Sequence, residues 1–175
     1  DTDRSRGLGD VYKRQVQGGP QLPASITVDS LGSWTDFVGD EYKSFSGTAV
    51  YTTTINKVPV ADVIKLDLGS VAENASVYLN GDYIGTVIDS PYQLYIPAEK
   101  FKGQDELVVR VANSMANRIA YMDKKGVDWK IFYNVNMSAR KKENVKNGIF
   151  DASDWEPKSS GLLGPVTLTP AMVKQ

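Results

Sequence analysis

The feature that most constrains the fold is a two-residue alternation of apolar and polar side chains. It runs through residues 63–68 (VIKLDL), 75–79 (ASVYL) and 105–112 (DELVVRVA). Because successive side chains of a strand point to opposite faces of a sheet, each segment is predicted to be a strand with one buried face. The side chains predicted to be buried are Ile64, Leu66 and Leu68; Ala75, Val77 and Leu79; and Leu107, Val109 and Val111.

An Asn80-Gly81 pair follows the second of these strands and precedes Asp82-Tyr83-Ile84. An Asn-Gly pair between alternating segments predicts a hairpin, because both turn positions need a positive φ. Further strands are predicted at 46–56, 92–96 and 163–169, and Val, Ile and Thr together outnumber Leu and Ala. Short strands with one buried face each predict an all-β sandwich of two packed antiparallel sheets.

Composition excludes several classes of function. The 175 residues include neither Cys nor His, so thiol catalysis, Cys/His zinc sites and Ser-His-Asp triads are excluded. The net charge is −1, which favours neither nucleic acid nor an anionic membrane as a partner. No apolar run approaches the roughly 20 residues that cross a bilayer.

Residues 1–15 (DTDRSRGLGDVYKRQ) carry seven charges and little apolar periodicity. The string GLGDVYKRQ resembles translated sequencing-adapter read-through, so this segment is predicted to be a non-native tail; a genuine charged N-terminal tail is the alternative. Residues 16–175 are predicted to form a single domain with a core spanning about 22–170. The chain does not begin with Met, and we expect it to be a fragment of a longer protein.

Residues 114–161 interrupt the rhythm of short strands. They comprise a predicted short helix (SMANRIAYMD), a polar passage rich in Lys and Asn, and the string DASDWEPKSSG. A connection this long between two strands predicts a functional or family-specific insertion. Helical spacing puts Met115, Ile119 and Met122 on one face, which we expect to lie on the sandwich while Asn117 and Arg118 project away from it.

The order of the motifs resembles a known family. The chain resembles the sugar-binding-type jelly roll of glycoside hydrolase family 2 in the order of four segments. These are FSGTAVYTTTI, LDLGSVAENASVYLNGDYIGTVIDSPYQLYIP, KFKGQDELVVRVAN and SGLLGPVTL. The most specific string is A-x-V-x-L-N-G-x-x-x-G at Ala75 to Gly85. The resemblance covers roughly residues 34–169 and is strongest to the terminal domain of family 106 α-L-rhamnosidases, because the 114–161 insertion is longer than in ordinary family 2 domains.

The resemblance implies a galactose-binding-like jelly-roll β-sandwich, accessory to a catalytic module elsewhere in a bacterial glycoside hydrolase. The implied function is to pack on that module, with plant or microbial polysaccharide as a further expected partner, in the periplasm or outside the cell. An independent carbohydrate-binding module and a purely structural domain without a ligand are the alternatives. Such sandwiches commonly hold a structural Ca²⁺, but no DxDxDG-like loop indicates one here, and we expect no metal or other cofactor.

Without His or Cys, only carboxylates could act as acid and base. A glycosidase needs two of them about 5–10 Å apart. The loop carboxylates are Asp89, Asp123, Asp128, Asp151 and Asp154, and none lies in a pattern typical of catalysis. We therefore expect the catalytic residues to belong to the parent protein and not to this chain.

Residues of the insertion are the candidates for contact with carbohydrate or with the catalytic module. Aromatic rings stack on the apolar face of a pyranose, while amides, carboxylates and guanidinium groups bind its hydroxyls. The candidates are Asn117, Arg118, Tyr121, Asp128, Trp129, Tyr133 and Trp155. The alternative is that these aromatic side chains plug one end of the sandwich and that Arg118 pairs with a carboxylate. Trp34 is predicted to be core, and Asn80 and Gly81 to serve turn geometry.

Overall fold

The computed structural model describes residues 9–15, for their backbone, together with residues 25–130 and 141–171. The strands are β1 (Gly9–Gln15), β2 (Gly47–Ile55), β3 (Val63–Asp67), β4 (Ser70–Ala72), β5 (Asn74–Leu79), β6 (Asp82–Val87), β7 (Gln93–Pro97), β8 (Asp105–Ala112), β9 (Val145–Lys146), β10 (Ile149–Phe150), β11 (Gly161–Gly164) and β12 (Thr167–Ala171). The helices are α1 (Asp40–Lys43) and α2 (Ala116–Lys124).

Antiparallel sheets build the fold. The largest has the order β1-β2-β8-β5-β6, and a second has the order β12-β3-β7; β11 pairs with β4, and β10 with β9. The sheets place strands that are distant in the chain side by side, as when Thr48 of β2 pairs with Ala112 of β8. This arrangement confirms the predicted all-β jelly-roll sandwich.

The core lies between the two larger sheets. Its members from the five-stranded sheet include Val77 and Val109, and those from the three-stranded sheet include Ile64 and Leu66. All nine side chains that the alternation predicts to be buried are buried, which confirms it. Eight of them lie in β3, β5 and β8, and Leu68 follows β3. Trp34 is also core, and its ring meets that of Phe45 edge to face with 5.1 Å between the ring centres.

The predicted hairpin is confirmed between β5 and β6. Asn80 has φ 53° and Gly81 has φ 87°, the positive values that a turn of this kind requires. The side chain of Asn80 does more than the turn needs: Nδ2 donates to Asp105 Oδ1 over 2.7 Å, and Oδ1 accepts from the Glu106 N–H over 2.9 Å. The hairpin tip is thereby fastened to the start of β8.

The last predicted strand, 163–169, is two strands. β11 ends at Gly164 and pairs with β4, while β12 begins at Thr167 and pairs with β3. Gly161 has φ 111°, and a Cβ there would lie 2.5 Å from Tyr51 Oη. Strand β11 therefore begins at a position where a side chain would clash with Tyr51, so that only glycine fits.

Residues 9–15 lie along β2 as an edge strand. Their register pairs Tyr12 with Val50 and Gln15 with Gly47. The prediction concerned the origin of residues 1–15, which strand pairing does not address, and it stays a prediction.

Candidate functional site

Helix α2 lies where it is predicted, but its predicted orientation is only partly right: Met122 is buried as expected, whereas Asn117 and Arg118, predicted to project away, are buried too. Its buried residues are Asn117, Arg118 and Met122, whereas Met115 is 45% exposed. The reason is a pair of backbone contacts: Asn117 Nδ2 donates to the Lys158 carbonyl, and Asn117 Oδ1 accepts from the Lys158 N–H, both over 2.8 Å. A side-chain amide paired with the backbone in this way can be buried without an unsatisfied polar group, so helical spacing of apolar residues did not decide which face packs.

Arg118 is buried beside Tyr121. It is 3% exposed, and its guanidinium carbon lies 5.8 Å from the centre of the Tyr121 ring. Within the described ranges neither Nη1 nor Nη2 has a hydrogen-bond partner, so the alternative that Arg118 pairs with a carboxylate is wrong for this part of the chain. Burial lowers the pKa of Arg118, because removing water disfavours the charged form.

Asp123, in the last turn of α2, contacts three other residues of the insertion. Its carboxylate accepts from Trp129 Nε1 over 2.7 Å and from the Ala152 N–H over 2.8 Å, and Lys130 Nζ lies 2.7 Å from Oδ1. Sequence reasoning named Asp123 only as a loop carboxylate. Its partner Ala152 is 29 residues away in the chain, so no local pattern could have indicated this role.

The two tryptophans of the insertion belong to a small apolar cluster. Trp129 and Trp155 pack with Ile119 against Phe150 and Ala152. The Trp155 ring meets Phe150 edge to face at 5.8 Å between ring centres, and Trp155 Nε1 donates to Asn144 Oδ1 over 2.9 Å. This packing agrees with the alternative that the tryptophans are structural, yet both rings stay half-buried and keep part of their surface open.

A cleft of about 460 Å³ lies between α1, α2 and the loop 153–157. Its α2 wall includes Asn117, Ala120, Tyr121 and Lys124, and Ser44 follows α1 on the opposite wall. The loop 153–157 contributes Trp155 and Glu156 among others. No sequence pattern indicated Ser44, Ala120 or Glu156, because the cleft joins segments more than 70 residues apart.

The structure brings some of the candidate residues together and separates others. Asn117, Tyr121 and Trp155 line the cleft. Arg118 is buried, Trp129 is held by Asp123, and Asp128 is exposed beyond the end of α2. Tyr133 lies outside the described residues.

The loop carboxylates make contacts that fix the chain. Asp89 accepts from the Ser90 N–H over 2.7 Å, and Asp154 lies 3.1 Å from Lys146 Nζ. Asp151 accepts from the Ser153 side chain and N–H and is 3.4 Å from Lys146 Nζ. The pKa of Asp151 is lowered, chiefly by the hydrogen bond from the Ser153 hydroxyl. The Ser153 N–H and Lys146 act in the same direction, and together these contacts exceed the opposing effect of partial burial. A carboxyl held ionised in this way is a poor proton donor.

The described part of the chain has neither a metal-binding cluster nor a membrane-spanning helix. Across residues 25–130 and 141–171, Asp and Glu do not gather in groups of three or more that could hold a metal ion. The helices of these ranges are too short and too polar to span a bilayer.

The chain is similar to known proteins in both sequence and structure, although no family model matches it. It is 34% identical over 158 residues to a protein from Formosa agariphila described as "Putative beta-glucuronidase". In structure it is similar to a rhamnosidase from Novosphingobium sp. PP1Y, with TM-score 0.73, 28% identity and 96% of this chain covered. A family 2 β-galacturonidase from Eisenbergiella tayi shares the fold over 65% of this chain, with TM-score 0.50 and 20% identity.

The matched region is a small part of each relative. The chain spans 14% of the Formosa agariphila protein, 14% of the rhamnosidase and 19% of the β-galacturonidase. The similarity to a rhamnosidase and to a family 2 glycosidase confirms the resemblance inferred from the order of the motifs: the chain has the sugar-binding-type jelly-roll fold of glycoside hydrolases. Its relatives are glycoside hydrolases many times its length.

Proposed function

Because this chain has the jelly-roll fold found in part of larger glycosidases, we propose that it is a non-catalytic accessory domain of a glycoside hydrolase. The observation that carries the proposal is the match to 14% of a rhamnosidase with TM-score 0.73 over nearly the whole chain. Activity of the parent protein on a rhamnoside or a uronide belongs to this proposal too. The periplasm or the extracellular space is the proposed location.

The contacts of the acidic side chains support a non-catalytic role. Glycoside hydrolysis needs a proton-donating carboxyl and a second carboxylate across the scissile bond. Three carboxylates line the cleft, but Asp40 is 3.2 Å from Lys125 Nζ and Asp154 is 3.1 Å from Lys146 Nζ. Only Glu156 lines the cleft without an ion pair to a described residue. Two of the three cleft carboxylates are therefore engaged by lysine side chains of this chain, which supports a structural role for them.

The insertion is the proposed surface for the catalytic module of the same polypeptide. Met115, Val127 and Ile149 are large apolar residues that stand exposed within residues 114–161. Exposed apolar side chains are stabilised when another protein surface covers them. The relatives are several times longer than this domain. The proposed partner surface is therefore another part of the same polypeptide.

The test separates activity from docking. The 175-residue chain is assayed alone on aryl rhamnosides and aryl glucuronides, and we expect no hydrolysis above the buffer rate. The catalytic module of the parent protein is then expressed separately and its binding to this chain measured by calorimetry. Val127→Asp is expected to weaken binding, while Val60→Asp, which changes a fully exposed valine outside the insertion, is the matched control. Hydrolysis by the chain alone, or equal binding of the two variants, would contradict the proposal.

A further inference from the structure

The face of the five-stranded sheet that turns away from the core, here called the outer sheet face, has the composition of a protein–protein interface. Among the residues of β2, β5 and β8 that turn outward, only Glu106 and Arg110 are charged. The others are Thr48, Val50, Thr52, Thr54, Asn74, Ser76, Tyr78, Val108 and Ala112. The centres of protein interfaces are depleted of Lys, Glu and Asp and enriched in Tyr and Arg. The outer sheet face therefore suits a protein partner.

The hydroxyl groups on the β5–β6 side of the outer sheet face bond to one another. Ser76 Oγ and Thr86 Oγ1 are 2.8 Å apart, and Tyr83 Oη lies 2.9 Å from Thr86 Oγ1. The Tyr83 ring, in a residue that is 59% exposed, meets the Tyr78 ring with 5.5 Å between the ring centres. Covering hydroxyls that already have partners costs less free energy than covering hydroxyls that would be left unpaired. A partner can therefore cover this side of the sheet at a small desolvation cost.

The two charged residues of the outer sheet face have no partner of opposite charge in the described part of the chain. The ion pairs of residues 25–130 and 141–171 join other side chains. The guanidinium carbon of Arg110 lies instead 4.6 Å from the centre of the Tyr78 ring. Glu106 and Arg110 stand two residues to either side of Val108 on β8, and both are exposed. The outward side of β8 thus presents a negative, an apolar and a positive group in a row, and this order complements its own reverse.

A second copy of the chain fits this charge order. A twofold axis that lies between two facing sheets and crosses the strands at Val108 sets β8 of one copy antiparallel to β8 of the other. Arg110 of each copy then faces Glu106 of the other, and the two Val108 side chains meet at the centre. The same axis brings Tyr78 opposite Tyr78 and Thr52 opposite Thr52, since both residues pair with Val108 in the sheet. An interface in which one surface serves both copies is the arrangement found in twofold dimers.

We propose that the chain forms a weak symmetric dimer through the outer sheet face, with two reciprocal Arg110–Glu106 ion pairs around Val108. Four strands about 4.8 Å apart, each seven residues long, present a face of roughly 450 Å². This area is below the roughly 800 Å² per partner of a standard interface, so we expect a dissociation constant of about 10–100 µM. The dimer goes beyond the accessory role proposed above and does not depend on it, because neither the insertion nor a catalytic module takes part.

The test is sedimentation velocity of the 175-residue chain at concentrations from about 1 to about 300 µM in low salt. We expect a monomer at the lowest concentration and mostly dimer at the highest. Association should weaken at about 0.5 M salt, because exposed ion pairs are screened. A chain that stays monomeric at every concentration would overturn the proposal. Unfolding experiments at about 1 µM report on the single domain, since the dimer is dissociated there.

Charge reversal makes the assignment specific. Arg110→Glu sets two carboxylates against each other across the interface, and Glu106→Arg sets two guanidinium groups against each other, so each variant alone should associate at least about tenfold more weakly. An equimolar mixture of the two variants should associate at least about tenfold more tightly than either alone, because opposite charges face each other again. Lys100→Glu, which reverses the charge of an exposed lysine outside the outer sheet face, is the matched control and should associate as the parent chain does.

The mixing experiment separates the proposed arrangement from a loss of folding or from association elsewhere on the chain. A variant that merely fails to fold would not recover when the other variant is added, and melting curves establish that each variant folds. Single variants that associate as tightly as the parent chain, or a mixture that associates no better than its components, would overturn the proposal.

Discussion

Replacing Asp105 by Asn is expected to lower the free energy of unfolding by about 2 kcal/mol at neutral pH. Asp105 is 1% exposed and begins β8. Its Oδ1 accepts from Asn80 Nδ2 over 2.7 Å and from the Lys102 N–H over 2.8 Å, and its Oδ2 accepts from the Gly103 N–H over 3.0 Å. One carboxylate thus joins the β5–β6 hairpin to the turn before β8.

The size of this loss follows because an amide has one acceptor oxygen where the carboxylate has two. Asn has one oxygen, so if it keeps the two bonds of Oδ1, its NH₂ group faces the Gly103 N–H. One bond to a charged acceptor is lost, and such bonds contribute roughly 1.5–3 kcal/mol each. If the amide is turned the other way, two hydrogen bonds are lost instead of one. The smallest expected loss of unfolding free energy is therefore that of one bond, about 2 kcal/mol.

The effect depends on pH in a definite direction. Burial acts to raise the pKa of Asp105, but the hydrogen bonds from Asn80, Lys102 and Gly103 outweigh it and lower the pKa from its ordinary 3.8. Because the folded pKa is below the unfolded one, the carboxylate stabilises the fold fully above the unfolded pKa. That contribution is lost as the pH falls through the folded pKa. The difference in free energy of unfolding between the parent chain and Asp105→Asn should therefore become smaller at strongly acidic pH.

The assay is urea unfolding followed by the fluorescence of the three tryptophans, at pH 7 and at the lowest pH where the chain stays folded. Glu106→Gln is the matched control, since Glu106 is exposed and contacts Asn80 only through its backbone N–H and carbonyl. We expect a lower midpoint for Asp105→Asn and an unchanged midpoint for the control. Equal midpoints for Asp105→Asn and the parent chain, or a gap that does not change with pH, would refute the reasoning.

Four further predictions concern stability. Leu79→Asp and Val109→Asp are each expected to abolish folding, because an unpaired carboxylate would enter the core at a cost of several kcal/mol; a soluble variant with the parent melting temperature would contradict this. Asn117→Ala should cost about 2 kcal/mol in urea unfolding through the loss of two backbone partners, and an unchanged midpoint would show those contacts to be weak. Arg118→Met should raise stability by about 1 kcal/mol, since it removes a buried guanidinium whose Nη1 and Nη2 lack hydrogen-bond partners in the described ranges, and a lower melting temperature would show that Arg118 is compensated. Removing residues 1–15 should change the free energy of unfolding by less than about 1 kcal/mol; a larger loss in calorimetry would make them part of the fold.

The strands could be predicted because their signal is local. A two-residue period, a β-branched composition and an Asn-Gly turn each need only neighbouring residues, and the buried faces of β3, β5 and β8 came out as the alternation indicates. Even so, the local pattern predicts only a turn role for Asn80. Its bond to Asp105 spans 25 residues and depends on β5 pairing with β8, which no local pattern specifies.

The insertion could not be predicted to the same depth because distant polar partners decide its packing. Apolar spacing predicts Met115 as a buried residue of α2, but Met115 is exposed, while Asn117 is buried with its side chain bonded to the backbone of Lys158. Asp123 acts in the same way through Ala152. Helical periodicity predicts the buried face only where burial of apolar area dominates the packing free energy, and here hydrogen bonds of buried polar groups compete with it.

The insertion carries its own set of hydrogen bonds. The bonds of Asn117 to Lys158, Asp123 to Ala152 and Trp155 to Asn144 all lie within residues 114–161, so they hold the insertion to itself. Across the cleft mouth, α1 meets α2 through the Asp40–Lys125 pair, whose side chains are 60% and 48% exposed. An exposed ion pair contributes little, about 0–1 kcal/mol. The contact between α1 and the residue after α2 therefore adds little to the free energy of unfolding, whereas the buried hydrogen bonds inside the insertion contribute more.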